Sequence, residues 1–167
     1  MRTVPITIRL NGRIFSLEVF PEHSLLHVLR HQLHAHDVKN GCERGDCGAC
    51  MVIMDGILIN ACLVLAAQAD GCEIVTAKGI GTADRLHPIQ EAFIAHGAVQ
   101  CGFCTPGMIL AAKALLDRNP CPSDIEIRRA LAGNYCRCTG YLKIIEAIQS
   151  ASRALLMKET APPAQTN

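Results

Sequence analysis

Hydrophobic and polar residues alternate from the start of the chain, with Val4, Ile6, Ile8 and Leu10 in one register, then Asn11-Gly12, then Phe15, Leu17 and Val19. Period-two alternation turns one face of a strand toward a core, and Asn-Gly supplies the positive-φ pair of a type I′ turn, so this stretch predicts a β-hairpin. Past Pro21 the period changes. Leu25, Leu26, Val28, Leu29 and Leu33 recur at helical spacing behind Ser24, a residue suited to an N-cap. Residues 50–54 and 57–60 are apolar runs on either side of Asp55-Gly56 and predict a second hairpin; after a short apolar turn at 63–67, residues 73–76 read as one more strand.

At Lys78-Gly79-Ile80-Gly81-Thr82 the pattern breaks, and beyond it only helical spacing is found. Pro88 opens a run with Ile89, Ala92 and Phe93, and Pro106 opens one with Met108, Ile109, Ala112, Leu115 and Leu116 that ends near Asn119-Pro120. Ser123-Asp124-Ile125-Glu126 is a capping box ahead of Ile127 and Leu131, with a stop at Gly133; Leu142, Ile145, Ile148 and Leu155 mark a last helix. The expected class is α+β, with a sheet domain over residues 1–78, a linker at 79–84, a helical domain over 85–157 and a mobile tail over 158–167. The lone Gly79-x-Gly81 has no third glycine and no Lys-Ser/Thr pair, so it reads as linker and not as a phosphate loop.

Half of the 167 residues are hydrophobic but only six are aromatic, which implies an aliphatic core. A net charge of +1 without a long run of either sign excludes the basic stripe of a nucleic-acid surface. Residues 1–6 hold no apolar signal region and run directly into the strand pattern, while the longest apolar stretch, 57–67, is interrupted by Asn60 and is too short to span a bilayer. A cytoplasmic location follows as the expectation, with membrane attachment only through a partner. In that compartment ten cysteines serve metal or redox chemistry, not disulfides.

Eight of the ten fall into two groups. Cys42, Cys47 and Cys50 lie in one glycine-rich loop, and Cys62 follows after the second hairpin; this is the plant-type spacing for four thiolates around a [2Fe–2S] cluster. Structural zinc suits two similar C-x2-4-C pairs better than three ligands in one loop and a distant fourth. Gly41, Gly45 and Gly48 would let the backbone close around the cluster. Cys101, Cys104, Cys136 and Cys138 form the second group, in two loops that lead into helices, where unpaired N–H groups favour thiolates. From residue types alone this set fits a second iron–sulfur cluster, zinc or a redox dithiol.

Other candidates have bland readings. Cys72 and Cys121 lie outside both sets and read as passive thiols. His23, His27 and His31 recur every fourth residue, with His34 and His36 after them; a divalent-metal patch is possible on spacing, and a solvated helix face is the preferred reading. Glu91, Asp117 and Glu126 have no partner suggesting acid–base work, and no Ser-His-Asp set or dinucleotide fingerprint is present. Such a chain transfers electrons and leaves substrate chemistry to others. The alternatives are a zinc-stabilised adaptor and a free-standing ferredoxin-like carrier.

Taken together, Cys42 to Cys62, then Gln100-Cys101-Gly102-Phe103-Cys104-Thr105-Pro106-Gly107 and Asn134-Tyr135-Cys136-Arg137-Cys138-Thr139-Gly140-Tyr141, resemble the small iron–sulfur subunit of molybdenum hydroxylases, the xanthine dehydrogenase and aldehyde oxidase family. The resemblance covers roughly residues 4–155 and departs from the family pattern at Tyr135 and Met51, neither of which removes a cysteine. It implies an N-terminal β-grasp, plant-type ferredoxin-like domain, then a four-helix-bundle domain, each with one [2Fe–2S] cluster. It also implies partner subunits carrying FAD and molybdenum with a molybdopterin dinucleotide, in a heterotrimer or a dimer of heterotrimers. On the same resemblance Gln100 and Cys138 approach the molybdopterin, and the holoenzyme hydroxylates a purine, another heteroaromatic or an aldehyde while electrons pass through both clusters toward FAD.

Overall fold

A computed structural model of the chain describes residues 2–160. Strands β1 (Val4–Leu10) and β2 (Arg13–Val19) pair antiparallel with Ile6 opposite Leu17 and Ile8 opposite Phe15. Between them Asn11 and Gly12 take φ of 49° and 81°, the two left-handed positions that the turn demands. Asp55 and Gly56, at 47° and 80°, join β3 (Met51–Met54) to β4 (Ile57–Asn60) in the same way. With β5 (Glu73–Val75) they form one mixed sheet in the order β2-β1-β5-β3-β4, in which only β1 and β5 run parallel.

Helix α1 (Leu25–His31) starts where Ser24 Oγ accepts the His27 N–H at 3.2 Å, and it buries Leu25, Leu26, Val28 and Leu29. These pack with Ile6, Ile8, Leu10, Val19, Val52 and Ile74 in the first core. The helix ends short of Leu33: the Gln32 and Leu33 N–H groups both turn back to the Val28 carbonyl, and His34 takes a φ of 53° that no helix continues through.

The second core is helical. It joins α2 (Pro88–Ala95), α3 (Thr105–Arg118), α4 (Asp124–Leu131) and α5 (Leu142–Thr160) through Ile89, Phe93, Met108, Leu115, Ile127, Ile144 and Ile148. The Ser123–Glu126 box closes reciprocally, with the Ser123 N–H donating to Glu126 Oε2 at 2.8 Å and the Glu126 N–H to Ser123 Oγ at 3.4 Å. Helix α4 ends at Leu131, ahead of Gly133. Helix α5 reaches Thr160, three residues into the tail that composition suggests at 158–167; residues 161–167 lie outside the described residues. Among the described residues no helix is long and apolar enough to cross a membrane.

Between the cores the chain is tied at several points. Asn11 Oδ1 accepts the Thr76 N–H at 2.8 Å and its Nδ2 donates to Thr76 Oγ1 at 2.9 Å, so the first hairpin turn holds the exit of β5. Gln90 Nε2 donates to the Ala77 carbonyl and Gln90 Oε1 accepts the His87 N–H, each at 2.9 Å, which anchors α2 to the same segment. Met51 and Leu58, although on strands, pack against the helical core.

Candidate metal centres

In the first loop Glu43, Gly45 and Gly48 adopt φ of 54°, 87° and 68°. Interleaving left-handed residues with right-handed ones turns successive N–H groups to one side, a concavity that favours an anion. Cys42 Sγ lies there: the N–H groups of Arg44, Cys47 and Asp46 and the Cys47 thiol hold its pKa down at about 6. No side chain fits at Gly41, where a Cβ would stand 2.7 Å from Cys47 Sγ. Of the four sulfurs in this set, that of Cys50 sits deepest. Cys50 is 3 % exposed, and burial, with the nearby Cys62 and Cys47 thiols, pushes it up to about 12. Cys62 comes to it on the 3-10 turn Ala61–Leu63, and the end of β4 is fastened by Asn60, whose Nδ2 donates to the Gly45 carbonyl at 3.1 Å.

The second set is built from two loops. Cys104 is the N-cap residue of α3, and Cys101, Cys136 and Cys138 stand around it. Cys101 Sγ and Cys138 Sγ are 3.6 Å apart and exposed. Cys104 is pushed up to about 12 by burial and by the adjacent Cys136 thiol. Burial would raise Cys136 too, but the Thr139 hydroxyl at 3.1 Å, its N–H at 3.4 Å and the Cys138 N–H together bring it below the usual thiol value.

Each set therefore resolves into two sulfur pairs in mutual contact: Cys42 with Cys47 and Cys50 with Cys62, then Cys101 with Cys138 and Cys104 with Cys136. Among the described residues no three His, Cys, Asp or Glu side chains are grouped to hold a single metal ion. Pairs suit a binuclear centre held by four thiolates, while a tetrahedral zinc ion needs four ligands around one point. The donor chemistry fits as well. Buried thiols at about 12 ionise only beside a strong positive charge, which ferric iron supplies, and the loop N–H groups are aimed at sulfur.

The two sets are adjacent through the backbone: the Tyr135 N–H donates to the Cys47 carbonyl at 3.0 Å. One hydrogen bond thus connects the residue before Cys136 with a cysteine of the other set. Tyr141, held at φ 68°, accepts the Cys136 N–H at 2.9 Å through its hydroxyl and donates to the Asn134 carbonyl at 3.0 Å.

Residues 8–72 match the family model of the 2Fe-2S iron-sulfur cluster binding domain, and residues 76–149 match that of the [2Fe-2S] binding domain. The small FeS subunit of nicotinate dehydrogenase from Eubacterium barkeri is 48 % identical over 151 residues, covering 90 % of this chain and 96 % of that one. The chain belongs to the small [2Fe–2S] subunits of the molybdenum hydroxylases. Among solved structures, quinoline 2-oxidoreductase from Pseudomonas putida 86 aligns with a TM-score of 0.90 and 40 % identity, over 95 % of this chain and 99 % of that one. Aldehyde oxidoreductase from Desulfovibrio desulfuricans aligns with a TM-score of 0.89 and 45 % identity over 96 % of this chain, which spans only 18 % of that longer protein. The class is α+β, the chain carries two [2Fe–2S] clusters, and it acts as an electron-transfer subunit of an oxidoreductase.

In this small [2Fe–2S] subunit the remaining candidates fall as follows. Gln100 is exposed and precedes the exposed Cys101 in the chain, with Phe103 and Val99 also exposed. Cys121 is exposed, and Cys72 is half-buried with its thiol raised by burial and by Asp55. Glu126 serves the α4 cap, and Lys113 pairs with Asp117 on α3. The histidines do more than face solvent. His23, His27 and His31 stack with ring centroids 4.0 and 4.5 Å apart, and with Arg30, Glu43 and Cys62 they line a cavity of about 290 Å3. Burial and the flanking His23 and His31 lower the His27 pKa against the pull of Glu43. The spacing marks the helix face, but nothing in it shows that Cys62 returns to that face from another part of the chain.

Proposed function

We propose that Cys42, Cys47, Cys50 and Cys62 ligate one [2Fe–2S] cluster in a β-grasp domain, and that Cys101, Cys104, Cys136 and Cys138 ligate the second in a four-helix-bundle domain. The pairing of sulfurs within each set, two and two, carries this reading. When bound, each cluster supplies a one-electron carrier. The chain's own residues favour the thiolate at Cys42, aim N–H groups at sulfur, exclude water from Cys50 and keep the two sets in contact through Tyr135 and Cys47.

The chain's place is in a larger enzyme. A partner subunit carries molybdenum with a molybdopterin dinucleotide, another carries FAD, and the assembly is a cytoplasmic heterotrimer or a dimer of heterotrimers. The exposed Cys101–Cys138 pair, with Gln100 beside it, supplies the face toward the pterin, and electrons leave by the first cluster toward FAD. Relatives named for nicotinate, quinoline, xanthine and aldehydes support a heteroaromatic, purine or aldehyde substrate for the whole enzyme. Residues 79–84 serve as the linker between domains 1–78 and 85–157.

Purification of the complex and electron paramagnetic resonance of its reduced form test this. About four irons and four sulfides per small subunit and two distinct [2Fe–2S] signals are expected. A single signal, or zinc in place of iron, overturns the ligand assignment, and co-purification without larger subunits overturns the assembly.

A further inference from the structure

Asn134 is 1 % exposed and lies in no element, two residues before Cys136, with its N–H donating to the Leu131 carbonyl at 2.9 Å as α4 ends. Its side chain crosses into the other cysteine loop. Asn134 Nδ2 donates to the Gly48 carbonyl at 3.3 Å and lies 3.2 Å from Met51 Sδ, so one amide grips the first loop on both sides of Cys50. The next residue is Tyr135, whose N–H reaches the Cys47 carbonyl. Behind it, the Asn134 carbonyl accepts the Tyr141 hydroxyl, which in turn accepts the Cys136 N–H. A continuous chain of hydrogen bonds therefore runs from the first cysteine loop, through Asn134, to a cysteine of the second.

The packing leaves no slack. A Cβ at Gly48 would collide with the Gly133 carbonyl and stand 2.5 Å from Asn134 Nδ2, and one at Gly107 would collide with the Gly48 carbonyl. Asn134 Oδ1 is buried and has no hydrogen-bond partner among the described residues. A buried acceptor without a partner is destabilising, and an apolar residue of similar size would avoid that loss. The two contacts of Nδ2 give the amide a reason to be there. A carboxylate would fill the same space but could not donate to the Gly48 carbonyl.

We propose that Asn134 is a positioning residue for electron transfer between the two clusters: by clamping Gly48 and Met51 it keeps the Tyr135 N–H to Cys47 carbonyl contact closed. The inference rests on the ligand assignment above, but it concerns the distance between the centres and not their existence. Asn134→Leu, prepared in the whole complex, retains bulk and deletes both contacts. It is expected to keep about four irons per chain and two [2Fe–2S] signals. The magnetic splitting between the reduced centres should change, amide exchange at Tyr135 should accelerate, and electron equilibration between the centres should slow roughly tenfold or more, since small misplacements of reacting groups carry large rate losses. Unchanged splitting, exchange and rate in a fully loaded Asn134→Leu complex overturn the inference and leave the ligand assignment intact. If Asn134→Leu loads fewer irons, Met51→Leu takes its place, since it removes only the sulfur contact: the same changes in smaller degree support the clamp, and none overturns it. Two signals missing from the unsubstituted complex would sink the assignment instead.

Discussion

Replacing Gly107 with alanine sets two physical effects of opposite sign against each other. Gly107 lies in the first turn of α3 and is buried, with a helical φ, so nothing in its backbone requires glycine. On helix propensity alone, Gly107→Ala should stabilise the chain by about 1 kcal/mol. The new methyl, however, would collide with the Gly48 carbonyl and come within 3.1 Å of Asn134 Nδ2. Its obstacle is backbone, and that backbone is fixed from the other side by Asn134 and by the Tyr135 N–H on the adjoining Cys47 carbonyl. Relief by a side-chain rotation is therefore closed, and the steric cost belongs near the upper end for overpacking, about 3 kcal/mol. The net expectation is destabilisation of about 2 kcal/mol, or a melting temperature lower by about 4–8 °C for a chain of this length. Thermal unfolding followed by far-ultraviolet and visible circular dichroism reads it in both backbone and cluster. Gly133→Ala serves as the comparison, because its Cβ would meet only Met51 Cε at 3.6 Å, an ordinary contact, and should change stability by no more than about 0.5 kcal/mol. A Gly107→Ala chain as stable as the parent, or more so, would refute the tight seam between the loops.

Three other expectations can be checked independently. Cys104→Ser should abolish one iron–sulfur signal and lower iron from about four to about two per chain while the other signal persists, read by resonance and iron analysis; retention of both signals would remove Cys104 from the ligand set. In the metal-free chain Cys42, held at about 6, should be carboxymethylated near its plateau rate at pH 7, with the rate falling as pH drops below 6, whereas Cys50 and Cys104, at about 12, should resist; mass spectrometry of the labelled sites decides. Ser123→Ala should cost about 1 kcal/mol of stability at neutral pH by opening the α4 box. Because hydrogen bonds from Ser123 hold the Glu126 carboxyl below its ordinary value, their contribution is complete above that ordinary value and fades as pH falls through the lowered one; the loss caused by Ser123→Ala should shrink in acid, and an unchanged loss would argue against the box.

Local signals account for much of what was legible in advance. Asn11-Gly12 and Asp55-Gly56 announce turns because positive φ is a property of those residues themselves, and Ser24 and Ser123 announce helix starts because a cap is made within three residues. The grouping of cysteines was legible for the same reason in the 42–50 loop, where one short segment supplies three sulfurs. Endpoints were less so: Leu33 keeps the helical spacing of α1 but lies beyond its end, where the reversal at His34 overrides the apolar pattern. What no spacing could show is contact between distant loops. The Tyr135 to Cys47 bond is made by backbone groups, which every residue has, and Asn134, although it opens the motif around Cys136 and Cys138, gives no sign in sequence that its amide reaches the Gly48 carbonyl. The stacked histidines were visible as a helix face, yet their nearness to Cys62 depends on the 3-10 turn after β4.

The short strand β3 explains how two cores can hold two clusters at one fixed separation. Its sequence, Met51-Val52-Ile53-Met54, is apolar throughout instead of alternating, which is the mark of a strand covered on both faces. Val52 is fully buried in the core of the sheet, while Met51 packs on the helical core and meets Asn134 Nδ2 with its sulfur. Cys50 immediately precedes this strand, and Cys62 follows its hairpin partner β4, so the Cys50–Cys62 pair of the first set is mounted on the same strands that α3 packs against. Helix α3 in turn begins at Cys104. A sliding motion between the cores would therefore have to strip apolar side chains from the half-buried Met51 and Leu58 as well as break the hydrogen bonds of Asn134 and Tyr135, each apolar contact contributing a part of the about 1.5–3 kcal/mol that full burial of such a side chain is worth. Rigidity at this seam is what an electron relay needs, because its rate depends on a distance that thermal motion must not change.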